Sequence, residues 1–276
     1  METLQKDIGG RMYFAGVDIG AVATKACIID AEGKLLAYAV RKTAADMAKT
    51  GKETFKRCFM EAGLKAQDIR YIVATGYGGN IALSAFANEK FTEITCHSKG
   101  AKWLFPKCHT VIDIGGQDSK VIGLDDAGKV SRFVMNDTCA AGTGRFLEVM
   151  AKILGVKLEK MGEISLESKN KVQITSTCTV FAESEVISLM ASGKKPVDII
   201  AGLHDAVARR VGGLVKQVGA KDDVVITGGV AKNIGVVKAL EKEIGHKIHV
   251  PAEPQIIGAF GAAIIAKEKV LAKAPL

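Results

Sequence analysis

The sequence predicts an α/β protein made of two domains of related fold. The first observation behind this prediction is an internal repeat, VDIGAVATK at residues 17–25 and IDIGGQDSK at residues 112–120. The second is that short apolar runs alternate with amphipathic segments of helical period in both halves of the chain, a pattern typical of α/β folds. A motif that recurs in this way indicates that one supersecondary unit occurs twice.

Each copy of the repeat has the pattern of a β-hairpin. An apolar run leads into Asp-Ile-Gly, a second apolar run follows, and DAEGK at 30–34 or DDAGK at 125–129 supplies a further glycine turn. Short strands separated by such turns are typical of hairpins, so an acid and a glycine are expected at each tip. The aligned residues are Asp18 with Asp113, Gly20 with Gly115, and Lys25 with Lys120.

Periodicity predicts the remaining elements and the domain limits. Helices are expected at 52–63, 145–155, 198–219 and 258–273, and strands that run into glycine turns at 71–78 and 224–229. The predicted organisation is an N-terminal tail at 1–11, a first domain at 12–110 that is completed by a C-terminal helix at 258–276, and a second domain at 111–257.

Composition and charge argue against several classes of protein. Of 276 residues, 48% are hydrophobic and 25% are charged, as in globular rather than disordered chains. The net charge of +8 is scattered, with no Lys/Arg run longer than two, so nucleic-acid binding is not expected. No apolar run approaches the roughly 20 residues that span a bilayer, and residues 1–11 lack the apolar core of a signal peptide. We expect a cytoplasmic protein without a membrane partner.

The two hairpin tips are suited to phosphate and hydrated Mg²⁺, because glycine lets backbone N–H groups approach a ligand closely beside a carboxylate. Thr24 and Lys25 follow the first glycine and add a hydroxyl and a cation. A single Asp-x-Gly turn is common, but two in register together with TGG at 227–229 favour nucleotide binding over plain turns. We predict that Asp18 and Asp113 hold Mg²⁺ through water during ATP hydrolysis.

Several motifs resemble those of a known family. The two Asp-Ile-Gly hairpins, TGGVAKN at 227–233 and GAFGAA at 258–263 are similar to the actin, Hsp70 and sugar-kinase ATPase fold. CAAGTGRF at 139–146, STCTVFAESEV at 176–186 and TGYG at 75–78 resemble a narrower group. That group contains the activator ATPases of 2-hydroxyacyl-CoA dehydratases and the related ATPase subunits of benzoyl-CoA reductase. The resemblance implies an actin/Hsp70-like fold of two related ATPase domains with a nucleotide cleft between them.

The resemblance also implies which residues contact ATP or ADP. The first phosphate loop comprises Gly20, Ala21, Val22, Ala23, Thr24 and Lys25, and the second Gly115, Gly116, Gln117 and Asp118. The adenosine side comprises Gly228, Gly229, Ala231, Asn233 and Gln255. Gln117 and Asp118 remain alternatives for orienting the attacking water. One departure is that Ala21 and Val22 stand where the family usually has two hydroxyl residues, so no side-chain role carries over there.

Two of the six cysteines, Cys139 and Cys178, each follow a cluster of capping residues and directly precede a predicted helix. A thiol at a helix N-terminus ionises more readily, because the helix dipole favours the thiolate that ligates iron. Two thiolates are too few for a four-cysteine site, whereas a two-fold homodimer supplies four. The resemblance implies one 4Fe–4S cluster per homodimer, bridging the subunits with helix N-termini directed at it.

Two other groups of residues are not expected to be sites. Cys96 and His97 in ITCHSKGA are interpreted as neighbours on a strand, where their side chains point to opposite faces, so zinc binding is not expected. Glu183 and Glu185 are interpreted as acids in the first turn of a helix, where the dipole favours negative charge.

The leading functional hypothesis is an ATPase that transfers one electron. It takes the electron from ferredoxin or flavodoxin and passes it to an iron–sulfur acceptor enzyme, such as a 2-hydroxyacyl-CoA dehydratase or a related double-cluster reductase. A small-molecule kinase of the same fold with inert cysteines is the alternative, and a non-enzymatic nucleotide-dependent interaction protein is a third possibility. The paired cysteine motifs argue against the kinase, which has no need of them.

Overall fold

The computed structural model describes residues 12–175 and 178–272. The predicted tail at 1–11, the last residues of the predicted C-terminal helix and the first two residues of the 176–186 motif lie outside the described residues. No helix in the described ranges is both long and apolar enough to cross a membrane.

Strands and helices alternate along these ranges. The described strands are β1 (Tyr13–Ile19), β2 (Ala23–Ile29), β3 (Leu35–Lys42), β4 (Ile69–Thr75), β5 (Glu89–Lys90), β6 (Thr110–Ile114), β7 (Ser119–Leu124), β8 (Val130–Asn136), β9 (Val224–Thr227) and β10 (Ile248–His249). The described α-helices are α1 (Met47–Ala62), α2 (Gly79–Ala85), α3 (Glu93–Leu104), α4 (Gly144–Ile153), α5 (Met161–Leu166), α6 (Thr179–Ala191), α7 (Pro196–Val218), α8 (Ile234–Ile244) and α9 (Ile257–Leu271).

The chain divides into two compact units with the same sheet topology. Unit 1 comprises the described residues up to 103 and from 256 onwards, and unit 2 comprises the described residues from 104 to 255. The strand order is β3-β2-β1-β4-β5 in unit 1 and β8-β7-β6-β9-β10 in unit 2, so the repeat seen in the sequence extends to all five strands of each sheet. In each unit the three hairpin strands are antiparallel and the next two join the sheet in parallel.

Helices cover both faces of the sheet in unit 1. Successive residues of β1 point to opposite faces, so they pack against different helices. Ala15 and Val17 pack with the buried side of α1, whereas Phe14 belongs to the cluster formed with α9. Gly16 also lies on the α9 side, where an added Cβ would come within 2.0 Å of the Ala259 carbonyl oxygen. Helix α9 therefore packs directly on β1, the strand that carries Asp18.

The core of unit 2 joins its hairpin to a set of helices. Ile112 and Ile114 of β6 share one buried cluster with side chains of α4, α7 and α8. Helix α7 begins with Pro196 in its first turn and ends at Gly219, whose φ of 77° is a left-handed conformation that suits glycine. It contributes more buried residues than any other described helix of this unit, so it is the element against which the rest of unit 2 is arranged.

The strand interpretation of ITCHSKGA was wrong, since these residues lie in helix α3. Cys96, Gly100 and Ala101 are buried at helical spacing, and small residues allow α3 to approach α9 closely. A Cβ added to Gly100 would lie 2.5 Å from the Ile257 carbonyl oxygen, and one added to Gly261 would meet the Cys96 backbone. The contact between α3 and α9, which are far apart in the sequence, favours a helix over a strand at residues 93–104. The local sequence pattern does not reveal this contact.

Candidate nucleotide and cluster sites

The first candidate site is built around Asp18 at the end of β1. Lys25 lies directly across the hairpin from it on β2, and the Lys25 Nζ donates to Asp18 Oδ2 at 2.8 Å. Asp18 is 3% exposed, and its Oδ1 has no hydrogen-bond partner among the described residues. A buried carboxylate oxygen without a hydrogen-bond partner is unfavourable unless a ligand supplies the missing contact. Asp18 Oδ1 is therefore an open acceptor position.

The equivalent site in unit 2 has a fuller set of internal contacts. Lys120 lies across from Asp113 and is buried, and its Nζ donates to Asp118 Oδ1 at 2.8 Å and to Asp113 Oδ2 at 3.4 Å. The Thr227 hydroxyl donates to Asp113 Oδ1 at 3.0 Å. Lys120 was not among the predicted site residues, although its alignment with Lys25 in the repeat was the signal that identifies it.

In both units, the parallel strand beside the central strand ends in a threonine and is followed by a glycine. Thr75 pairs in register with Asp18, and Thr227 pairs with Asp113. The next residues, Gly76 and Gly228, have φ values of 86° and 88°, and a Cβ at either position would lie within 2.8 Å of an oxygen of the neighbouring aspartate. Only glycine fits there. TGYG and TGGVAKN each contain one of these Thr-Gly pairs. The two pairs occupy equivalent positions beside Asp18 and Asp113, which only the strand pairing in the sheets reveals.

The first phosphate loop presents backbone rather than polar side chains. Gly20 N–H donates to the Ala23 carbonyl at 3.1 Å, closing the turn, and the side chains of Ala21, Val22 and Ala23 are half-buried. Thr24 is fully buried and its hydroxyl contacts the Thr43 hydroxyl at 2.9 Å, so the structure places it inside unit 1 rather than at the loop tip.

Thr43 is a further residue of this loop that the sequence reasoning missed. Its hydroxyl donates to the Gly20 carbonyl at 2.7 Å, and its N–H donates to the Val22 carbonyl at 2.9 Å. It lies beyond β3, far along the chain from the Asp-Ile-Gly motif, and no local spacing connects the two. Its bonds fix the conformation that the loop presents to a ligand.

The second phosphate loop separates the two candidates for orienting water. Gly115 N–H donates to the Asp118 carbonyl at 2.9 Å, which repeats the turn of the first loop. Gln117 is exposed at the tip, whereas Asp118 is 7% exposed and bound to Lys120. The Gln117 side chain therefore faces solvent, and the Asp118 carboxylate is engaged within unit 2.

Helix α4 is joined to this loop by its first backbone N–H groups. Gly144 N–H donates to the Gly115 carbonyl and Arg145 N–H to the Gly116 carbonyl, each at 2.9 Å. A Cβ on Gly144 would lie 3.2 Å from the Gly115 carbonyl oxygen, so glycine permits this close contact. The N-terminal donors that a helix normally leaves unsatisfied are here used by the loop.

The predicted adenosine residues divide into two groups. Gly228 N–H donates to the Pro254 carbonyl at 2.9 Å, and Gly229 is exposed, with Gln255 Nε2 lying 3.6 Å from the position of an added Cβ. In contrast, Ala231 is buried, and the Asn233 side chain caps α8 by accepting from the Val236 N–H at 3.1 Å. The surface offered to a ligand thus comes from Gly229 and Gln255.

A buried histidine holds Asn233 from behind. His204 of α7 is 1% exposed, and its Nε2 lies 3.1 Å from Asn233 Nδ2, while its Nδ1 has no partner among the described residues. Burial lowers the pKa of His204 to about 4; Asp205 raises this pKa by a smaller amount, and Lys171 lowers it further. The imidazole is therefore neutral at physiological pH and accepts the Asn233 amide hydrogen.

Burial separates Cys139 and Cys178 from the other four cysteines. Cys27, Cys58, Cys96 and Cys108 are buried, whereas Cys139 is half-buried and Cys178 is exposed. Burial raises the pKa of both Cys58 and Cys96 to about 12, so these two remain thiols and are poor iron ligands.

Cys139 and Cys178 occupy different positions relative to helices. Cys178 is the N-cap of α6, as predicted from its capping cluster. The prediction that Cys139 directly precedes a helix was wrong, because α4 begins at Gly144 with Thr143 as its N-cap. Cys139 lies in the preceding loop, where the left-handed φ of 89° at Gly142 delays the start of the helix.

The first-turn interpretation of Glu183 and Glu185 was also wrong. Helix α6 starts at Thr179, and its first turn contains no acid. Glu185 instead accepts hydrogen bonds at Oε1 from both the N–H and the hydroxyl of Thr175, at 2.9 and 2.8 Å. This carboxylate therefore holds the segment that leads to Cys178.

The donor set fits a cluster that is shared between two chains. Over residues 12–175 and 178–272, no three His, Cys, Asp or Glu side chains are grouped as a metal site. One chain thus offers two accessible thiols, Cys139 and Cys178, and a four-thiolate cluster needs two more. For Mg²⁺, the open Oδ1 of Asp18 provides a matching oxygen acceptor.

Known proteins resemble this chain over most of its length. The profile of the BadF/BadG/BcrA/BcrD ATPase family matches residues 15–266. The (R)-2-hydroxyglutaryl-CoA dehydratase activating ATPase of Acidaminococcus fermentans is 47% identical over 259 residues, covering 94% of this chain and 98% of that protein.

Solved structures show the same fold. The activator of the 2-hydroxyisocaproyl-CoA dehydratase from Clostridium difficile, with bound ADPNP, has a TM-score of 0.90 at 42% identity, covering 96% of this chain and 99% of that one. A ROK family glucokinase from Streptomyces griseus has a TM-score of 0.57 at 14% identity, covering 93% and 99%, and shares the fold alone. The predicted actin/Hsp70/sugar-kinase-like fold is confirmed.

His204 makes the stability of the chain depend on pH. The unfolded chain binds a proton near pH 6.5 and the folded chain only near pH 4, so stability is lost as the pH falls through this window. The loss from this group is up to about 3 kcal/mol. His204→Gln keeps an amide beside Asn233 and removes the titration, so we expect a smaller loss between pH 7 and 4.5 in urea unfolding. His246→Gln, at the surface, serves as the control, and equal losses in wild type and His204→Gln would contradict this account.

Proposed function

Because the chain belongs to the BadF/BadG/BcrA/BcrD ATPase family, we propose that it couples its ATPase activity to the transfer of one electron. The electron passes through a 4Fe–4S cluster held by a homodimer to an iron–sulfur acceptor enzyme. Relatives that activate 2-hydroxyacyl-CoA dehydratases make an enzyme of that class the proposed acceptor. Ferredoxin or flavodoxin is the proposed donor.

Helix α4 links the second phosphate loop to the loop that holds Cys139, and this link supports the proposal most directly. Gly115 and Gly116 accept from the first N–H groups of α4. Thr143 directly precedes α4, and its N–H and hydroxyl both donate to the Ala140 carbonyl, at 3.0 and 2.7 Å. A shift of the phosphate loop is thus carried over a few hydrogen bonds to the residue next to Cys139.

The aspartates of the two hairpins have different tasks in hydrolysis. Asp18 offers its open Oδ1 to the hydrated Mg²⁺ that accompanies ATP, and Lys25 compensates the charge of its other oxygen. Mg²⁺, when bound, supplies positive charge that offsets the negative charge of the phosphates. Asp113 is held in a fixed orientation by Lys120 and Thr227, so it would accept a hydrogen bond from the hydration water of Mg²⁺ without moving.

The loops hold the nucleotide chiefly through their backbones. The N–H groups of the first loop bind phosphate oxygens, since Thr24 is turned inward and Ala21 and Val22 have no polar atoms in their side chains. Gln117 orients the attacking water from the tip of the second loop. Gly229 and Gln255 line the adenosine. Asn233 supports that surface indirectly, because its side chain caps the start of α8.

Cys139 and Cys178 are the proposed iron ligands. As thiolates they donate charge to iron, and two copies of the chain complete the set of four. The cluster, when bound, supplies the one-electron chemistry. At the N-terminus of α6, Cys178 lies where backbone N–H groups stabilise added negative charge. Cys139 lacks this position, and the Asn136 amide holds its backbone carbonyl at 2.8 Å instead.

Asp113→Asn and Gln117→Ala are expected to lower kcat for ATP hydrolysis by about 100-fold or more, the usual loss when a proton or a water is no longer positioned. Asp113→Asn is expected to fold, because Lys120 keeps Asp118 as its partner. Steady-state ATPase assays measure the effect, with the exposed Asp126→Asn of the same hairpin as the control. Unchanged kcat in either variant would remove that residue from the proposed role.

Cys139→Ser and Cys178→Ser should each remove iron from the anaerobically purified protein while ATP binding is retained, because the phosphate loops are formed by other residues. Iron and sulfide analysis, with gel filtration, measures the result. Cys108→Ala, which changes a buried thiol, is the control and should keep its iron. Full iron in either serine variant would exclude the shared cluster, and a colourless wild type that phosphorylates a small molecule would favour the kinase alternative.

A further inference from the structure

Two adjacent arginines of helix α7 each hold one of the segments that carry Cys139 and Cys178. Arg209 and Arg210 follow one another near the middle of the helix. Successive residues of an α-helix point about 100° apart, since each turn has 3.6 residues, so neighbours on α7 reach in different directions. Both side chains are exposed and line the same cavity of about 510 Å³.

Arg210 reaches the Cys139 loop through a buried asparagine. Its Nη2 donates to Asn136 Oδ1 at 3.4 Å, and Asn136 Nδ2 in turn donates to the carbonyls of Cys139 at 2.8 Å and Ala141 at 3.3 Å. The side chain of Arg210 also packs on Gly142, where an added Cβ would lie 2.9 Å from Arg210 Cγ. The guanidinium and its carbon stem thus both fix this loop.

Arg209 reaches the segment that precedes Cys178. Its Nη2 donates to the Ile174 carbonyl at 2.8 Å, and the Ile174 side chain is buried in the core of unit 2. The next residue, Thr175, is held from the other side by Glu185 of α6. Further back, a Cβ on Gly202 of α7 would come within 1.9 Å of the Val172 carbonyl oxygen. Residues 172–175 are therefore fixed directly against α7.

The cavity explains why the arginines matter to both segments. Its walls include Thr138 from one cysteine segment and Thr175 from the other, with Arg209, Arg210 and Gln217 from α7. Within the described ranges, neither arginine forms an ion pair with a carboxylate, so their charge is directed to backbone and amide oxygens of the two segments. The two segments face a shared space and are each attached to α7.

We propose that Arg209 and Arg210 are positioning residues that set the relative placement of the Cys178 and Cys139 thiols. The proposal rests on the proposed function in that these thiols are the cluster ligands. Helix α7 is the rigid spacer, because its buried face is part of the unit 2 core. Each arginine transmits the position of the helix to one cysteine, so its loss loosens that cysteine and leaves the other in place.

The experiment uses full-length, anaerobically reduced protein from which iron has been removed, and measures the rate at which each thiol reacts with Ellman's reagent. Cys178→Ser and Cys139→Ser backgrounds isolate the reaction of the remaining accessible thiol, since the other four are buried. Arg210→Met should raise the Cys139 rate by about fivefold or more and leave the Cys178 rate within about twofold. Arg209→Met should raise the Cys178 rate by about fivefold or more and leave the Cys139 rate within about twofold. Such increases are expected when one hydrogen bond to a charged group no longer resists local opening.

Lys216→Met, at an exposed position of the same helix, is the matched control and should change neither rate. Arg210→Lys and Arg209→Lys keep a donor and should restore part of the slow rate, and they also serve if a methionine variant fails to fold. Equal increases in both thiols, or no increase, in folded arginine variants would overturn the proposal. Iron retention by the serine variants would instead contradict the proposed function, so the two failures are distinguishable.

Discussion

The pairing of a buried aspartate with a lysine across each hairpin is the interaction on which the rest of the structure depends. Asp18 with Lys25 and Asp113 with Lys120 lie at the ends of central strands, largely shielded from water. Removing a carboxylate from water costs several kcal/mol unless a countercharge and hydrogen bonds compensate it. The lysines supply that compensation, and left-handed glycines leave room beside the carboxylates. Both units can therefore keep a charged acid beside a phosphate loop.

The two aspartates differ in how many of their oxygens have partners, and this difference is consistent with the proposed coupling of ATP hydrolysis to electron transfer. Asp113 has both oxygens occupied by partners within unit 2, whereas Asp18 keeps one oxygen open. The fixed acid, Asp113, lies in the unit that also carries the two cysteines that are not buried, next to the loop that binds α4. The proposed function requires a rigid connection from the second phosphate loop to Cys139, because well-packed elements transmit displacement rather than absorb it.

The sequence predicted the α/β class, the repeated hairpins and the two cysteines that reach the surface, since each depends on local pattern and repetition. It missed what distant segments decide: helix α3 is selected by its contact with α9, and Thr43 joins the first loop from beyond β3. Thr24 was expected at the loop tip, but strand alternation turns its side chain into unit 1. The start of α4 was predicted to within one residue, but Cys139 does not directly precede this helix, because the left-handed Gly142 and the N-cap Thr143 lie between them.

The coupling of nucleotide state to the acceptor is the central claim, and one binding measurement tests it most directly. The affinity of the anaerobically reduced dimer for a purified 2-hydroxyacyl-CoA dehydratase is compared with a non-hydrolysable ATP analogue and with ADP. A ligand shifts a conformational equilibrium only through its different affinities for the two states. The account predicts tighter binding with the ATP analogue, by about 5- to 150-fold as is usual for coupled sites. Equal affinities, with electron transfer that proceeds equally well without ATP, would contradict it.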